Sequence, residues 1–356
     1  MADTVPNKNE NEYKSVSLFR KRLKRFKKFK RGYYSFWIIV VMYIISFFAP
    51  MLMNYKALVV KYNGRLHFPV LKFYQGKYFG QDVYGEANYR ELKKQFKNEN
   101  EGNWVLMPLY PYGPYESLTD PSKEPPNAPS RDHWFGTDDR GRDVFVRLAY
   151  GFNISISFAL VLVIVCYAIG IAIGSLLGYY GGWFDIIGQR IIEIWSSMPF
   201  LFIVIIISAI IQPNFGLLVG IMAFFGWTGM TYYMRGEFYR EKAKDYVQAA
   251  IAMGATDRKV IFKHILPNAL TPVISFAPFR IVGFIGSLVS LDYLGFGLPP
   301  PTPSWGELVQ QGMGNIFSWW LVLFPLGAMF VTLLMVVFVG EAVRNAFDPR
   351  EYSRLR

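Results

Sequence analysis

At 356 residues, with 52% apolar and 18% aromatic side chains and a positive mean hydropathy of +0.20, the chain carries more apolar surface than a soluble domain of its length needs. Most of its formal charge of +12 sits in residues 1–35, where eleven Lys and Arg face three acidic side chains just before the first apolar run. That placement is a membrane-topology signal and argues against nucleic-acid binding. The single cysteine, Cys166, lies inside an apolar run, which excludes an intrachain disulfide and a cysteine metal cluster and leaves a packing role.

Residues 1–14 are polar and read as disordered. From Ser15 onward Val16, Phe19, Leu23, Phe26 and Phe29 recur at spacings of three and four among Lys and Arg. This pattern predicts a basic amphipathic helix on the anionic cytoplasmic face of a membrane. A solvated tail that only orients the first span is the alternative, and both make residues 1–35 a cytoplasmic N-terminal segment. Phe36–Met53 (residues 36–53) is the first predicted span, of about 18 residues. No small-x-small cleavage site follows it at Ser46–Pro50, so it reads as a retained anchor.

Residues 54–149 contain no run long enough to span and read as an extracytoplasmic insert, α/β or irregular in structure. Ala57–Leu71 alternates around Asn63-Gly64, a hairpin signal, and Pro108 to Pro129 is dense in turn residues. The aromatic side chains of the insert fit a core and a partner surface equally well. At its end the chain reads DHWFGTDDRGRDVFVRLAYG, from Asp132 to Gly151. Asp138, Asp139 and Asp143 can pair locally with Arg140 and Arg142, and the interleaved arginines weaken a metal-site reading.

The core, residues 150–340, holds the remaining predicted spans. Ile154–Leu177 carries Gly170 and Gly174 at the spacing of a close helix contact and is broken by Gly181-Gly182. Phe184–Ser197 is an amphipathic approach with Asp185, Arg190 and Glu193, bent by Pro199 into Phe200–Ile211. Phe215–Met234, Leu270–Gly295 and Trp319–Gly340 complete six predicted crossings, and with them an all-α membrane protein. Charge agrees. Arg235, Arg240, Lys242, Lys244, Arg258, Lys259 and Lys263 fall inside, as does the tail 341–356 with Arg344, Arg350, Arg354 and Arg356, while the external link Phe296–Ser318 has no Lys or Arg.

Between two of these spans lies a polar hairpin, residues 241–268. A first helix is expected over about Glu241–Met253, ending at Gly254; Thr256 would cap a second, with Asp257 in its first turn, that stops before Pro267. The bend from Ala249 to Thr256 is nearly all small residues, which lets a partner groove approach the backbone; an ordinary connector is the plainer reading. No phosphate loop is present, and His67, His133 and His264 are scattered, so a HExxH-type site is not indicated. Arg280 and Asp292 are ionisable groups within a predicted span, about 18 Å apart along it, too far to pair. Asp292 is near the external end and able to reach water. Arg280, deeper, would line an aqueous path or pair with a neighbouring subunit.

Ala249-Ala250 and Gly254, followed after nine residues by His264-Ile265-Leu266-Pro267, resemble the EAA loop of permease subunits in binding-protein-dependent ABC importers. Gln248 replaces the usual glutamate, and His264 stands where many members carry isoleucine. His133 to Asp143 (HWFGTDDRGRD) is similar to a segment of the second permease of oligopeptide and dipeptide importers. Gly178 to Gly182, Tyr293 to Gly297, the PPPTPSWG stretch Pro299–Gly306 and Asp348-Pro349-Arg350 fit the same family. The large insert, Leu291-Asp292-Tyr293 and Gly340-Glu341-Ala342-Val343-Arg344 are closer to the Yej-type branch, associated with microcin C and other peptides. Arg280 matches no family pattern.

The resemblance implies six transmembrane helices with a cytoplasmic coupling hairpin, N- and C-termini in the cytoplasm, and an inner-membrane location. It implies a peptide importer whose chain pairs with a homologous second permease, two ATP-binding subunits and an extracytoplasmic peptide-binding protein. ATP and Mg would sit on the ATPases, with no cofactor, metal or catalytic residue in this chain. The coupling residues would be Gln248, Ala249, Ala250, Gly254, Ala255, Thr256, His264 and Pro267; Arg280, Asp292, Pro199 and Glu341 are the pathway or structural candidates. The alternatives are a secondary transporter using Arg280 and Asp292 for ion coupling, and a permease for another cargo such as nickel chelates.

Overall fold

The computed structural model describes residues 18–99, 102–118, 124–315 and 317–347. The expected disordered stretch 1–14, Val16, Asp348-Pro349-Arg350, Arg354 and Arg356 lie outside the described residues.

Helix α1 (Leu18–Lys28) holds seven Lys and Arg and no acid in its eleven residues. Phe29 leaves helical geometry at φ −86°, ψ 79°, so the chain turns into α2 (Lys30–Phe47), followed by the short α3 (Ala49–Leu52). Gly32 of α2 meets α14 (Trp320–Phe347) so closely that any Cβ there would collide with Ala342 and the Phe338 carbonyl.

The insert begins as a small α/β lobe. Strands β1 (Val59–Tyr62), β2 (Arg65–His67) and β3 (Trp104–Leu106) form an antiparallel sheet in the order β2-β1-β3. The turn at Asn63-Gly64 is where the sequence places it, both residues having positive φ (48° and 76°). Helix α4 (Tyr89–Glu99) packs Tyr89, Leu92 and Phe96 with Val60, Phe79 and Val105 into the core of the lobe.

Helix α5 (Val144–Tyr180) runs for 37 residues and starts ten positions before the expected span. Asp143 sets that start, its carboxylate accepting from Val146 N at 3.0 Å. Gly181 and Gly182, at φ 66° and 55°, end it. Pro199 sits at the 62° bend between α6 (Gly182–Ser196) and α7 (Phe200–Ile210).

The expected straight span Phe215–Met234 is bent by 42° into α8 (Phe215–Gly226) and α9 (Thr228–Lys242). A side chain from far away in sequence meets the bend. Arg280 Nη2 takes the Gly226 carbonyl at 2.9 Å, and Met230 N donates to Trp227 O at 3.1 Å instead, so a side chain has entered the helical ladder. Beyond the bend, α9 lies on the glycine face of α5. Added Cβ atoms at Gly170, Gly174 and Gly178 would meet Met230 Cβ, Thr231 O and Arg235 O at 2.5–2.6 Å.

After α10 (Asp245–Ala252) and the short α11 (Asp257–Lys259), a π-helical turn over Val260–Ile265 leads into α12 (Leu266–Tyr293). The helix therefore does not stop before Pro267. That residue occupies the first turn of α12, where a missing N–H costs no intrahelical bond, and the wide turn before it absorbs the ring. The predicted external link contains a further helix, α13 (Trp305–Gly314). Asp292 does not reach water. It is 7% exposed and accepts from Leu298 N at 2.7 Å and Ser304 Oγ at 2.6 Å, folding the link back over the end of α12.

Among the described residues three helices are long and apolar enough to cross a membrane, or up to five segments if each bent pair is one span. The main core gathers side chains of α5, α8, α12, α13 and α14, and a second cluster holds the foot of the hairpin.

Candidate functional site

The hairpin is built differently from the two helices expected. The chain leaves helical geometry at Lys244 (φ −76°, ψ 145°), separating α9 from α10. Buried Glu241 makes the corner, accepting from Lys244 Nζ at 2.7 Å and Tyr246 Oη at 2.9 Å. Tyr246 Oη in turn accepts from Asn268 Nδ2 at 2.9 Å, and the same amide reaches the His264 carbonyl at 3.1 Å, closing the two ends of the hairpin on each other. Burial first and then Glu241 raise the Tyr246 phenol above its ordinary pKa, so it stays a neutral donor. Gln248 is exposed and donates through Nε2 to the Lys242 carbonyl at 2.8 Å, serving the open end of α9.

Gly254, at φ 79°, terminates α10 as the sequence suggests. Its N–H bonds Ile251 O at 2.9 Å and Ala255 N bonds Ala250 O at 3.1 Å, the paired bonds of a Schellman ending. Thr256 stands at the next cap position, yet its side chain makes no capping bond. Asp257 instead accepts from Tyr179 Oη at 2.7 Å, which holds the hairpin to the end of α5.

The candidate residues divide by exposure. Ala250 is 4% exposed and packs inward, while Ala249, Gly254, Thr256 and Pro267 face outward and Ala255 and His264 are half-buried. Around them Met253 (82% exposed), Phe262, Arg258, Lys259 and Lys263 give an apolar tip with a basic rim. Sequence reasoning passed over Met253 and Phe262, although an exposed methionine beside a small-residue bend was visible as a contact signal.

The foot of the hairpin is braced by charge. Arg235 grips Asp185 of α6 through Nε and Nη2, both at 2.5 Å, and Tyr239 Oη adds a bond of 2.6 Å to the same carboxylate. Lys242 Nζ donates to Tyr179 O at 2.5 Å and lies 4.8 Å from the Tyr179 ring centre. The hairpin is thus tied directly to α5, and α9, which leads into it, is tied to α6.

At the other end of the molecule the HWFGTDDRGRD segment forms a closed ionic knot. Asp138 accepts from Arg142 Nε at 2.6 Å and lies 3.5 Å from Arg147 Nε; Glu307 of α13 meets Arg142 Nη2 at 2.9 Å and Arg147 Nη2 at 2.5 Å. Asp143 accepts from Tyr110 Oη and meets His133 Nδ1, each at 2.8 Å. Asp138 and Asp143 are therefore committed to partners within the protein. Among the described residues no group of three or more His, Cys, Asp or Glu is placed to hold a metal. Arg147 and Glu307 had not stood out in the sequence. Of the remaining candidates, Arg280 sits at the α8–α9 bend, Asp292 folds the link, and Pro199 and Glu341 are exposed, on the α6–α7 bend and on α14.

Residues 170–351 match the family described as the binding-protein-dependent transport system inner membrane component, and residues 17–66 match the N-terminal TM domain of oligopeptide transport permease C. The chain belongs to this permease family. The permease is 42% identical over 330 residues to the inner membrane ABC transporter permease protein YejE of Escherichia coli, covering 93% of this chain and 96% of that protein. It is 38% identical over 364 residues to the peptidoglycan transport system permease protein YejE of Agrobacterium fabrum, with 94% of each covered. The dipeptide transport system permease protein DppC of Bacillus subtilis is 34% identical, over 75% of this chain and 86% of that one. The permease is thus of the Yej type among peptide ABC permeases.

Proposed function

We propose that the permease forms one half of a peptide pathway, paired with a homologous permease, and opens it alternately to either side of the inner membrane. An extracytoplasmic binding protein delivers the peptide, modified peptides of the microcin C kind included. Two ATP-binding subunits supply the energy, holding ATP and Mg, and the permease itself catalyses nothing. In this arrangement α2 is the first of six crossings, residues 54–149 are extracytoplasmic, and both termini are cytoplasmic. Residues 241–268 are the coupling element. Ala249, Gly254 and Thr256 face the ATPase; Gln248, Ala250, Ala255, His264 and Pro267 shape the hairpin; Arg280 faces the pathway.

The observation that carries this reading is the hairpin's construction. Its tip is apolar, small and outward, whereas its foot is tied by Asp257–Tyr179 and Arg235–Asp185 to several spans at once. Such a part transmits force from a docked partner. The likeness to dipeptide and oligopeptide permeases supports the cargo class, and family membership leaves an ion-coupled secondary transporter without support.

The test places Ala249→Arg and Met253→Asp on the outward face, where neither disturbs the inner packing. Both variants are expected to insert normally, to lose co-purification of the ATPase and to lower peptide uptake by at least about 30-fold, the equivalent of one lost hot-spot contact of about 2 kcal/mol. Undiminished uptake and assembly would remove the docking role.

A further inference from the structure

We propose that Arg280 is a carboxylate-binding station in the pathway, taking the C-terminal carboxylate of the peptide as it passes. The inference rests on the peptide-import reading above and adds a recognition group to it.

Arg280 stands at the middle of α12, roughly 20 Å from either end at 1.5 Å per residue, so its side chain cannot reach interfacial water along the helix. An arginine at that depth needs an anion or an aqueous cavity. Among the described residues no carboxylate pairs with it. Its guanidinium donates once, from Nη2 to the Gly226 carbonyl, and lies 5.0 Å from the Phe284 ring centre. Nε and Nη1 have no hydrogen-bond partner among the described residues. Gly226 is the last residue of α8, so the one bond made is to a helix C-terminus, whose partial charge holds the cation without neutralising it.

The face of α12 that Arg280 shares supports the same conclusion. Phe276, Arg280, Gly283, Ser287 and Ser290 follow at spacings of four, three, four and three, along one side of the helix. Phe284, which borders Arg280, is buried in the main core with Ile285, Leu288 and Val289. Phe276, Gly283 and Ser290 of this stripe are exposed, and a Cβ added at Gly283 or Gly286 would meet nothing within 4 Å. Ser287 and Ser290 return their hydroxyls to the helix backbone, onto Gly283 O at 3.0 Å and Gly286 O at 2.8 Å. Arg280 stands at the edge of this open, small-residue wall, half-buried, with its guanidinium between the α8–α9 bend and Phe284.

A guanidinium with a free edge matches a carboxylate in shape and charge. Every unmodified peptide carries one at its C-terminus whatever its sequence, so a single arginine serves cargo of varied side chains.

The test uses the complete importer, both permeases with ATPases and binding protein, in proteoliposomes. Uptake of a tripeptide is compared with uptake of its C-terminal amide for the wild type, Arg280→Lys and Arg280→Gln, both peptides saturating the binding protein. Selection by the binding protein is common to all three, so a change in the acid-to-amide ratio belongs to the permease. Arg280→Gln is expected to slow the free peptide about 10-fold, as for one lost charge-assisted bond, and to leave the amide within twofold. Arg280→Lys should fall between. As a second measurement, Arg280→Cys labelled with a cationic methanethiosulfonate reagent should regain uptake of the free peptide, and an anionic reagent should not restore it. Equal slowing of both peptides would overturn the proposal in favour of a purely structural role at the α8–α9 bend. Loss of the partner permease from the purified complex would overturn it in favour of an ion pair between subunits. A wild type that imports no peptide at all would instead strike the import reading.

Discussion

Two arginines and two carboxylates share a buried space where α5 meets α13. Arg142 and Arg147 are each at most 2% exposed, and Glu307 bridges them across 160 residues of sequence. A buried pair adds little over an apolar substitute, but removing one partner leaves a charge stranded at a cost of about 3–5 kcal/mol. Glu307→Gln should therefore lower thermal stability of the purified permease strongly, whereas exposed Glu193→Gln, which pairs with exposed Arg190, should change it little. A melting curve of each variant in detergent decides the point. At Gly254 the expectation is milder. Positive φ disfavours any Cβ, yet the space is empty, so Gly254→Ala should cost about 1 kcal/mol and keep the fold. These sites also show where sequence reading stops. The charge pairing of Asp138 with Arg142 was legible because it is local. Asp292 was misplaced in water because its partners, Leu298 and Ser304, become neighbours only when the link folds back.

Between elements, the clearest sequence signal was the glycine spacing on α5, and it marks the face against which α9 packs. Any larger residue at Gly174 would drive into the Thr231 carbonyl and Met234, with backbone on the far side unable to yield. Gly174→Leu should accordingly prevent stable accumulation of the permease, while Gly236→Leu on α9, where a Cβ meets nothing within 4 Å, should accumulate normally; immunoblots of membrane fractions distinguish them. The bend between α8 and α9 left no such trace. Residues 215–234 contain no proline, and the side chain that meets the break comes from Arg280, 54 positions away. The break at Lys244 was hidden for a like reason, since α9 and α10 are each helical and only the buried corner at Glu241 separates them. Periodicity reports which face is buried, and long-range polar contacts decide where a helix turns.

Over the whole molecule, length, hydropathy and loop charge gave the membrane class, the order of the apolar segments and the hairpin between them. They did not give α13 or the three-stranded lobe in full, because short elements inside a polar stretch carry weak periodicity. The placement of that lobe outside and the hairpin inside rests on charge asymmetry, and two exposed positions test it directly. Tyr84, 91% exposed in the insert, and Met253, 82% exposed at the hairpin tip, both accept a cysteine without loss of packing. Cys166 is buried and gives little background. A membrane-impermeant maleimide applied to right-side-out membrane vesicles should label Tyr84→Cys fully and spare Met253→Cys, and inverted vesicles should reverse the pattern. Labelling of both positions from one side would break the assigned topology. It would also detach the hairpin from any ATP-binding partner, since that partner and the tip must share the cytoplasmic side.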